Sequence, residues 1–459
     1  MKTFLVVSLC VFAAVPWAAA QSVPEASGGQ RLPLVQSRGA SASPAVITLQ
    51  DALERARKLD VDVQSAITEV KSAGEDRLQA KSSLLPTINN STQYLGTQGN
   101  GVTPSGRYVS NDGVHLYREW AVIHEDFTAN SILKTGSLRA EASEILAKAR
   151  VEVAQRGLAV TVTKNYYALV TAQRKYANAQ LAAQEADRFL ELTRQQDRLG
   201  EVPHYDFLKA QLQSEDQQQS FDDAALTMET ARLSLASLMF PSLNENFTVV
   251  DDLESASVLP SFDDVQKLAE QENPEVRAAI QAVRQASLDT RAARNALLPS
   301  LSVDLNYGIE ANAFKLHSSV AAAPEAGVLP NLGYAVTASL TIPIFDWGLQ
   351  KSKVRQSQLR EQQAQTHVSQ TQRQIAVGLQ LNYDEAVGAR AAVNRARTAM
   401  DRATELLNLS NVRYRGGVGP ASEVVDAQNA VVKARNDYAD AQARYRVAIA
   451  ALQVFTGSF

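Results

Sequence analysis

The chain has 459 residues and a formal net charge of −4, with charged residues at 20% and aromatics at 6%. Such a mild acidity gives no basic footprint for nucleic acid, so that partner class is set aside. The alanine- and glutamine-rich, aromatic-poor composition suits long helices better than a compact sheet core.

The N-terminus reads as a secretory signal over residues 1–20. Lys2 is the basic start, Phe4 to Val15 the apolar run, and Ala18-Ala19-Ala20 the small residues that precede cleavage before Gln21. An uncleaved anchor is the alternative, and the run is short for one. The single cysteine, Cys10, lies inside this run behind Leu9, which does not fit a lipid-attachment box. The mature chain would then have no disulfide and no thiolate metal site or nucleophile. Residues 21–45, rich in Ser, Gly, Pro and Gln, read as a flexible leader.

Beyond the leader the chain says one thing twice. Residues 48–94 align without a gap on 261–307, an offset of 213 that places Leu84-Leu85-Pro86 on Leu297-Leu298-Pro299. Val63, Ala66, Ile67, Val70, Ala73, Asp76 and Ala80 all have identical partners, at spacings that keep one side of a helix. Further on, Gly200, Pro203, Asp206, Ala210 and Gln211 match Gly417, Pro420, Glu423, Ala427 and Gln428 at an offset of 217. The period is too long for a solenoid unit and marks a duplicated half-protein. The first repeat spans 46–240, with a helix, a β-hairpin at 87–125 and a long helical hairpin at 131–238. A linker follows at 241–260. The second repeat spans 261–459, with a helix, a β-hairpin at 300–343 and a long helical hairpin at 348–455.

No proline interrupts the chain between Pro104 and Pro203 or between Pro343 and Pro420. Each gap holds a helical pattern, 131–198 and 348–415, and either helix would run about 100 Å. A coiled-coil rod explains these helices as well as a tube does. The strands separate the two. Leu301, Val303, Leu305 and Tyr307 take one face of their segment, and Ser300, Ser302, Asp304 and Asn306 take the other. On the return, Leu332, Tyr334, Val336, Ala338, Leu340 and Ile342 alternate with Gly333, Ala335, Thr337, Ser339 and Thr341. Runs of about ten such residues mark an outer-membrane barrel strand, although a soluble sheet over a core alternates too. The secretory signal favours the barrel. The first hairpin is weaker: Ile88, Thr92 and Tyr94 start it, Asn90 interrupts its apolar face, and Arg118 shares a face with Trp120. Two hairpins give four strands, too few to close a membrane barrel, for which about eight is the minimum. Lipid tolerates no open edge, so this reading requires an oligomer.

Enzyme chemistry has little footing. His115, His124, His204, His317 and His367 are scattered without metal spacing. Gly416 to Gly419 is glycine-rich but follows a helix and lacks the Lys-Ser/Thr of a phosphate loop. No cofactor and no metal are expected.

The duplicated Leu-Leu-Pro before a strand, the segment Leu340 to Gly348 and the repeated Gly-x(5)-[Asp/Glu]-x(3)-Ala-Gln turns resemble the TolC-type outer-membrane efflux proteins. The resemblance covers the chain from about Thr48. It implies a homotrimer in outer-membrane lipid, with a twelve-stranded β-barrel and long helical hairpins forming an α-barrel through the periplasm. A mixed equatorial girdle would include 241–274 and the chain ends. The implied function is a passive exit duct of a tripartite efflux or type I secretion system, fed by an inner-membrane pump through a periplasmic adaptor, a membrane fusion protein. A periplasmic coiled-coil adaptor is the alternative. It would show one helical hairpin rather than two copies of a strand hairpin plus a helical one.

The same resemblance assigns candidate residues. Leu199-Gly200-Glu201 and Gly416-Gly417-Val418 would be the adaptor-docking tips, where Glu201 departs from the family pattern and a plain helix C-cap is the alternative. Glu423 and Asp426, with Asp206 as the other half's counterpart of Glu423, would line the narrow entrance. The alternative is ordinary acids in the first turn of a helix. Tyr414 matches a gate residue whose usual arginine partner is replaced by Gly419. Leu301, Val303, Leu305, Tyr307, Tyr334, Val336 and Leu340 would face lipid. The cargo is not written in the sequence.

Overall fold

The computed structural model describes residues 45–96, 115–243, 245–255, 258–311, 315–317 and 331–456. The expected signal peptide, all but the last residue of the expected leader and most of both strand-connecting loops lie outside these residues. Ala45 corrects the leader boundary, because it already opens β1 (Ala45–Ile47). That strand pairs in parallel with residues 247–249, inside the stretch read as a linker.

Local sequence explains the next elements. Thr48 caps α1 (Leu49–Leu59): its Oγ1 accepts from the Asp51 N–H at 3.2 Å while the Asp51 carboxylate accepts from the Thr48 N–H at 3.1 Å. Asp60 caps α2 (Val61–Ser82) by accepting from the Val63 N–H at 2.8 Å. Past Leu84-Leu85-Pro86 the chain leaves as β2 (Thr87–Gly96) and returns as β3 (His115–Phe127). The long helix expected from 131 starts later. Thr128 caps a separate one-turn α3 (Ala129–Ile132), Lys134 turns left-handed at φ 51°, and only then does α4 (Thr135–Leu199) begin. After it come α5 (His204–Met239) and β4 (Phe247–Val249), the partner of β1.

The second half repeats the plan with α6 (Phe262–Glu272), α7 (Pro274–Asn295), β5 (Ser300–Ala311), β6 (Leu332–Thr341), α8 (Leu349–Arg415) and α9 (Ala421–Thr456). The offset of 213 carries α1 onto α6 and α2 onto α7 end to end, and 217 carries α5 onto α9. The caps repeat as well, with Ser261 and Asn273 standing where Thr48 and Asp60 stand. At 65 and 67 residues, α4 and α8 are each about 100 Å long. None of the described helices is long and apolar enough to cross a membrane.

The four long strands form one antiparallel sheet in the order β2-β3-β5-β6. Thr87 lies opposite His124 and Gly96 opposite His115; Ser300 lies opposite Thr341 and Ile309 opposite Leu332. These pairs coincide under the two offsets, so the hairpins share one register and the offset changes between their strands. Directly opposed residues share a face. Leu301, Val303, Leu305 and Tyr307 therefore join Leu340, Ala338, Val336 and Tyr334 in one apolar face, continued by Phe127, Ile123 and Ile88. Glu125, opposite Val303, interrupts it on β3, and Glu119 interrupts it near the loop end, where its carboxylate accepts from Asn90 Nδ2 at 2.7 Å and from Thr92 Oγ1 of the same face. The other face is polar. Arg118 pairs with Glu310 at 2.8 Å and lies over the Trp120 ring, while His124 sits between Asp304 at 2.7 Å and Asp126 at 3.3 Å. Both outer strands, β2 and β6, lack a partner on one side among the described residues.

Two equivalent cores lie beyond the strands. In the first, Ala52 and Ala56 of α1 meet Val162 and Leu169 of α4 and Leu235 of α5. In the second, their counterparts Val265 and Ala269 of α6 meet Leu379 and Ala386 of α8 and Leu452 of α9. The first core also takes in Ile47, Phe247 and Val249 of the small parallel sheet. Tyr166 ties that sheet to α4: its buried hydroxyl donates to the Val250 carbonyl at 2.8 Å, with the Ile47 carbonyl at 3.3 Å. Burial pushes the Tyr166 hydroxyl pKa up to about 12, so it stays a donor across the physiological range. Tyr166→Phe should lower stability by about 1 kcal/mol, because the hydroxyl's bond to the Val250 carbonyl is lost. Faster amide exchange in β1 and β4 than in the α1 core is the expected local signature.

Candidate functional site: the hairpin tips

Both helical hairpins end in the same turn. The Gly200 N–H donates to the Asp197 carbonyl at 3.0 Å and the Glu201 N–H to the Gln196 carbonyl at 2.9 Å. In the second hairpin the Gly417 N–H donates to Tyr414 at 3.0 Å and the Val418 N–H to Arg413 at 3.0 Å. This pair of bonds is a Schellman motif, and it needs a left-handed residue just past the helix. Gly200 at φ 72° and Gly417 at φ 70° supply it. Pro203 and Pro420 then lead into α5 and α9. Leu199 and Val418 each leave 73% of their surface exposed, and Glu201 is exposed too. The expected docking residues thus sit together at each turn, with Gly416 as the C-cap of α8.

Tyr414 is buried between the two hairpins. Its ring meets Phe189 of α4 edge-on at 5.1 Å, and its hydroxyl donates to Gln196 Oε1 at 3.0 Å, with Thr193 Oγ1 at 3.4 Å. Burial raises its pKa, and the nearby Asp206 charge adds to this. Asp206 is itself buried, in the first turn of α5. Around this contact Ala210, Ala421, Val424 and Val425 form a small apolar cluster that joins all four helices.

The acids expected at the entrance differ in surroundings. Glu423, in the first turn of α9, lies 3.3 Å from Arg413 Nε. Gly419 lies against this pair. A Cβ there would come within 3.0 Å of Glu423 Oε2 and 3.4 Å of Arg413 Cβ. Arg413 therefore pairs with an acid of its own hairpin. Asp426, one turn further on, is exposed and has no ion pair among the described residues. Sequence reading missed Phe189, Gln196 and the Arg413–Glu423 pair. The available signal was the 217 offset, which makes Gln196 the counterpart of Arg413. The described residues hold no cluster of three or more His, Cys, Asp or Glu side chains placed to hold a metal ion.

A family profile described as "Outer membrane efflux protein" matches residues 49–239 and 265–458. The pyoverdine export outer membrane protein OpmQ of Pseudomonas putida is 24% identical over 439 residues, covering 91% of this chain and 87% of that protein. Among solved structures, the CmeC outer membrane channel of Campylobacter jejuni superposes with a TM-score of 0.74 at 17% identity, covering 93% of this chain and 91% of its own. The outer-membrane channel OprN gives a TM-score of 0.75 at 18% identity, with 90% of each chain covered.

The tip geometry gives a direct test. Nothing lies within 4 Å of a Cβ placed on Gly200 or Gly417, so only the backbone resists substitution. Alanine at either should cost about 1–2 kcal/mol of local stability, and asparagine less. Amide exchange confined to the tip reads the difference.

Proposed function

The chain belongs to the outer membrane efflux protein family, and from that premise we infer that three copies assemble into the exit duct of a tripartite efflux or type I secretion system. It is an outer-membrane channel whose helices extend into the periplasm. The observation that carries the assembly is the open sheet: four strands, one apolar face, and two unpaired edges, β2 and β6. An unpaired edge cannot remain in hydrocarbon. Pairing β6 of one copy with β2 of the next satisfies both edges, and three copies give twelve strands, an allowed barrel size. Leu301, Val303, Leu305, Tyr307, Tyr334, Val336 and Leu340 then face lipid, and the polar face lines the bore. The domain plan follows as two repeats, 46–240 and 261–459, joined through 241–260.

At the far end, the paired turns carry exposed Leu199 and Val418 as contacts for a periplasmic adaptor, which links the duct to an inner-membrane pump. Three copies of Asp426 set the charge of the opening, because Arg413 compensates Glu423. Tyr414, packed on Phe189 of α4, holds the hairpins together behind it. An isolated adaptor has no use for a four-stranded sheet with an apolar outer face, so the duct is preferred. The relative's name makes pyoverdine a first cargo to try.

A charge in the middle of the apolar face tests the barrel. Leu305→Arg should cost roughly 2–4 kcal/mol near the bilayer midplane and block recovery of trimers from outer membranes. Normal trimer yield would argue against a lipid-facing Leu305. In single-channel recordings, Asp426→Asn should relieve block by divalent cations more than Glu423→Gln does. Equal, undiminished block in both would remove these acids from the entrance.

A further inference from the structure

The two helices at the open ends of the periplasmic half are α5 and α8. Within one copy α5 packs on α4, α9 and α1, while α8 packs on α9, α7 and α6. Their opposite faces are uncovered, and the two faces differ in charge. On α5, Tyr205, Leu212, Asp216 and Asp223 fall on one exposed stripe, at spacings of seven, four and seven residues. On α8, Arg395, Arg402, Leu406 and Leu409 fall on one exposed stripe, at spacings of seven, four and three. None of these acids or arginines has an ion-pair partner among the described residues of its own chain.

The heights match. Counted from the turns, Asp216 is 13 residues beyond Pro203 and Arg402 is 14 before Gly416; Asp223 is 20 beyond and Arg395 is 21 before. At about 1.5 Å per residue these levels are about 20 Å and about 30 Å from the tip. Leu212 likewise stands 9 residues up, between Leu409 at 7 and Leu406 at 10. The helices run antiparallel, since α5 leaves the tip and α8 enters it.

We propose that a second copy of this chain covers these faces through a charged ladder, with Asp216 and Asp223 of one copy against Arg402 and Arg395 of the next, above Leu212 against Leu406 and Leu409. This rests on the ring assembly inferred above and adds its register. A seam of opposite edges is heterologous, so it closes only as a ring. Opposite charges flanking a leucine contact set partner and alignment, as they do beside a coiled-coil seam. A slip of one turn would leave a charge facing leucine. The seam is also salt-sensitive, because its rungs lie near solvent.

The test uses the full chain, purified from outer membranes in detergent. Asp216→Cys with Arg402→Cys should give, on oxidation, covalent species up to three chains on a non-reducing denaturing gel. Neither single variant should do so. Independently, reversing the basic edge (Arg395→Asp with Arg402→Asp) should speed trimer dissociation at low salt by about tenfold. Adding Asp216→Arg with Asp223→Arg should recover most of that loss. A trimer that forms normally, without cross-linking between copies and indifferent to both reversals, would overturn the ladder and leave the ring standing. Cross-linking confined within one chain would overturn it too. An unmodified protein that never forms trimers would instead remove the ring assembly on which the ladder rests.

Discussion

Unsatisfied backbone at a strand edge is the constraint from which the rest of this architecture follows. Every second residue of β2 and β6 points an N–H and a C=O away from the sheet, and hydrocarbon offers them no partner. Water would satisfy them, but the face that β6 shares with β5 is apolar, with Leu340, Ala338 and Val336 beside Leu301, Val303 and Leu305. In the proposed assembly this face meets lipid and the neighbouring copies complete the sheet. The requirement passes down the chain, because each strand is continuous with a helix. α2 feeds β2, β3 feeds α4, α7 feeds β5 and β6 feeds α8. Those helices pack in the same order as their strands, α2 on α4, α4 on α7 and α7 on α8. A sheet that closes between copies forces the helical layer to close with it.

Duplication explains why one chain can supply a regular arc of wall. Equivalent helices agree at both ends, equivalent caps use Thr48 and Ser261, and equivalent core positions pair Val162 with Leu379 and Leu235 with Leu452. The halves then diverge where identity is not needed for packing. The first core is larger because it also buries the small parallel sheet, anchored by Tyr166 and by Arg174 bound to Asp251 through both of its oxygens. At the tips Glu201 stands where the other half has Val418, so the two turns share a backbone and present different chemistry.

The sequence made some of this legible and hid the rest for physical reasons. Long periodic segments and the Leu-Leu-Pro stops were visible because capping and patterning act over neighbouring residues. Strand faces were visible because a period of two survives any register. β1 and β4 were not, since three residues carry no pattern and their pairing joins segments about 200 residues apart. The start of α4 was missed because Lys134 adopts a left-handed conformation without being glycine. Glycine at 419 read as a lost gate arginine. In the fold it packs against the Arg413–Glu423 pair, a contact that spacing alone does not reveal.

Stability is unevenly distributed along the tube, and this decides which part can move. The sheet end is held by three antiparallel ladders, and the middle by two cores rich in large side chains. The tip has two small clusters, one around Tyr414 and Phe189 and one of Leu407, Ala427 and Val431, plus a hydroxyl bond to Gln196. A hydrogen bond of that kind contributes about 1 kcal/mol net. Regions with few buried apolar contacts open at low free-energy cost while the global fold persists. The hairpins are long levers pinned firmly at one end and lightly at the other. In the proposed assembly, widening the opening would have to break the Tyr414 contact on α4 as well as the seams between copies.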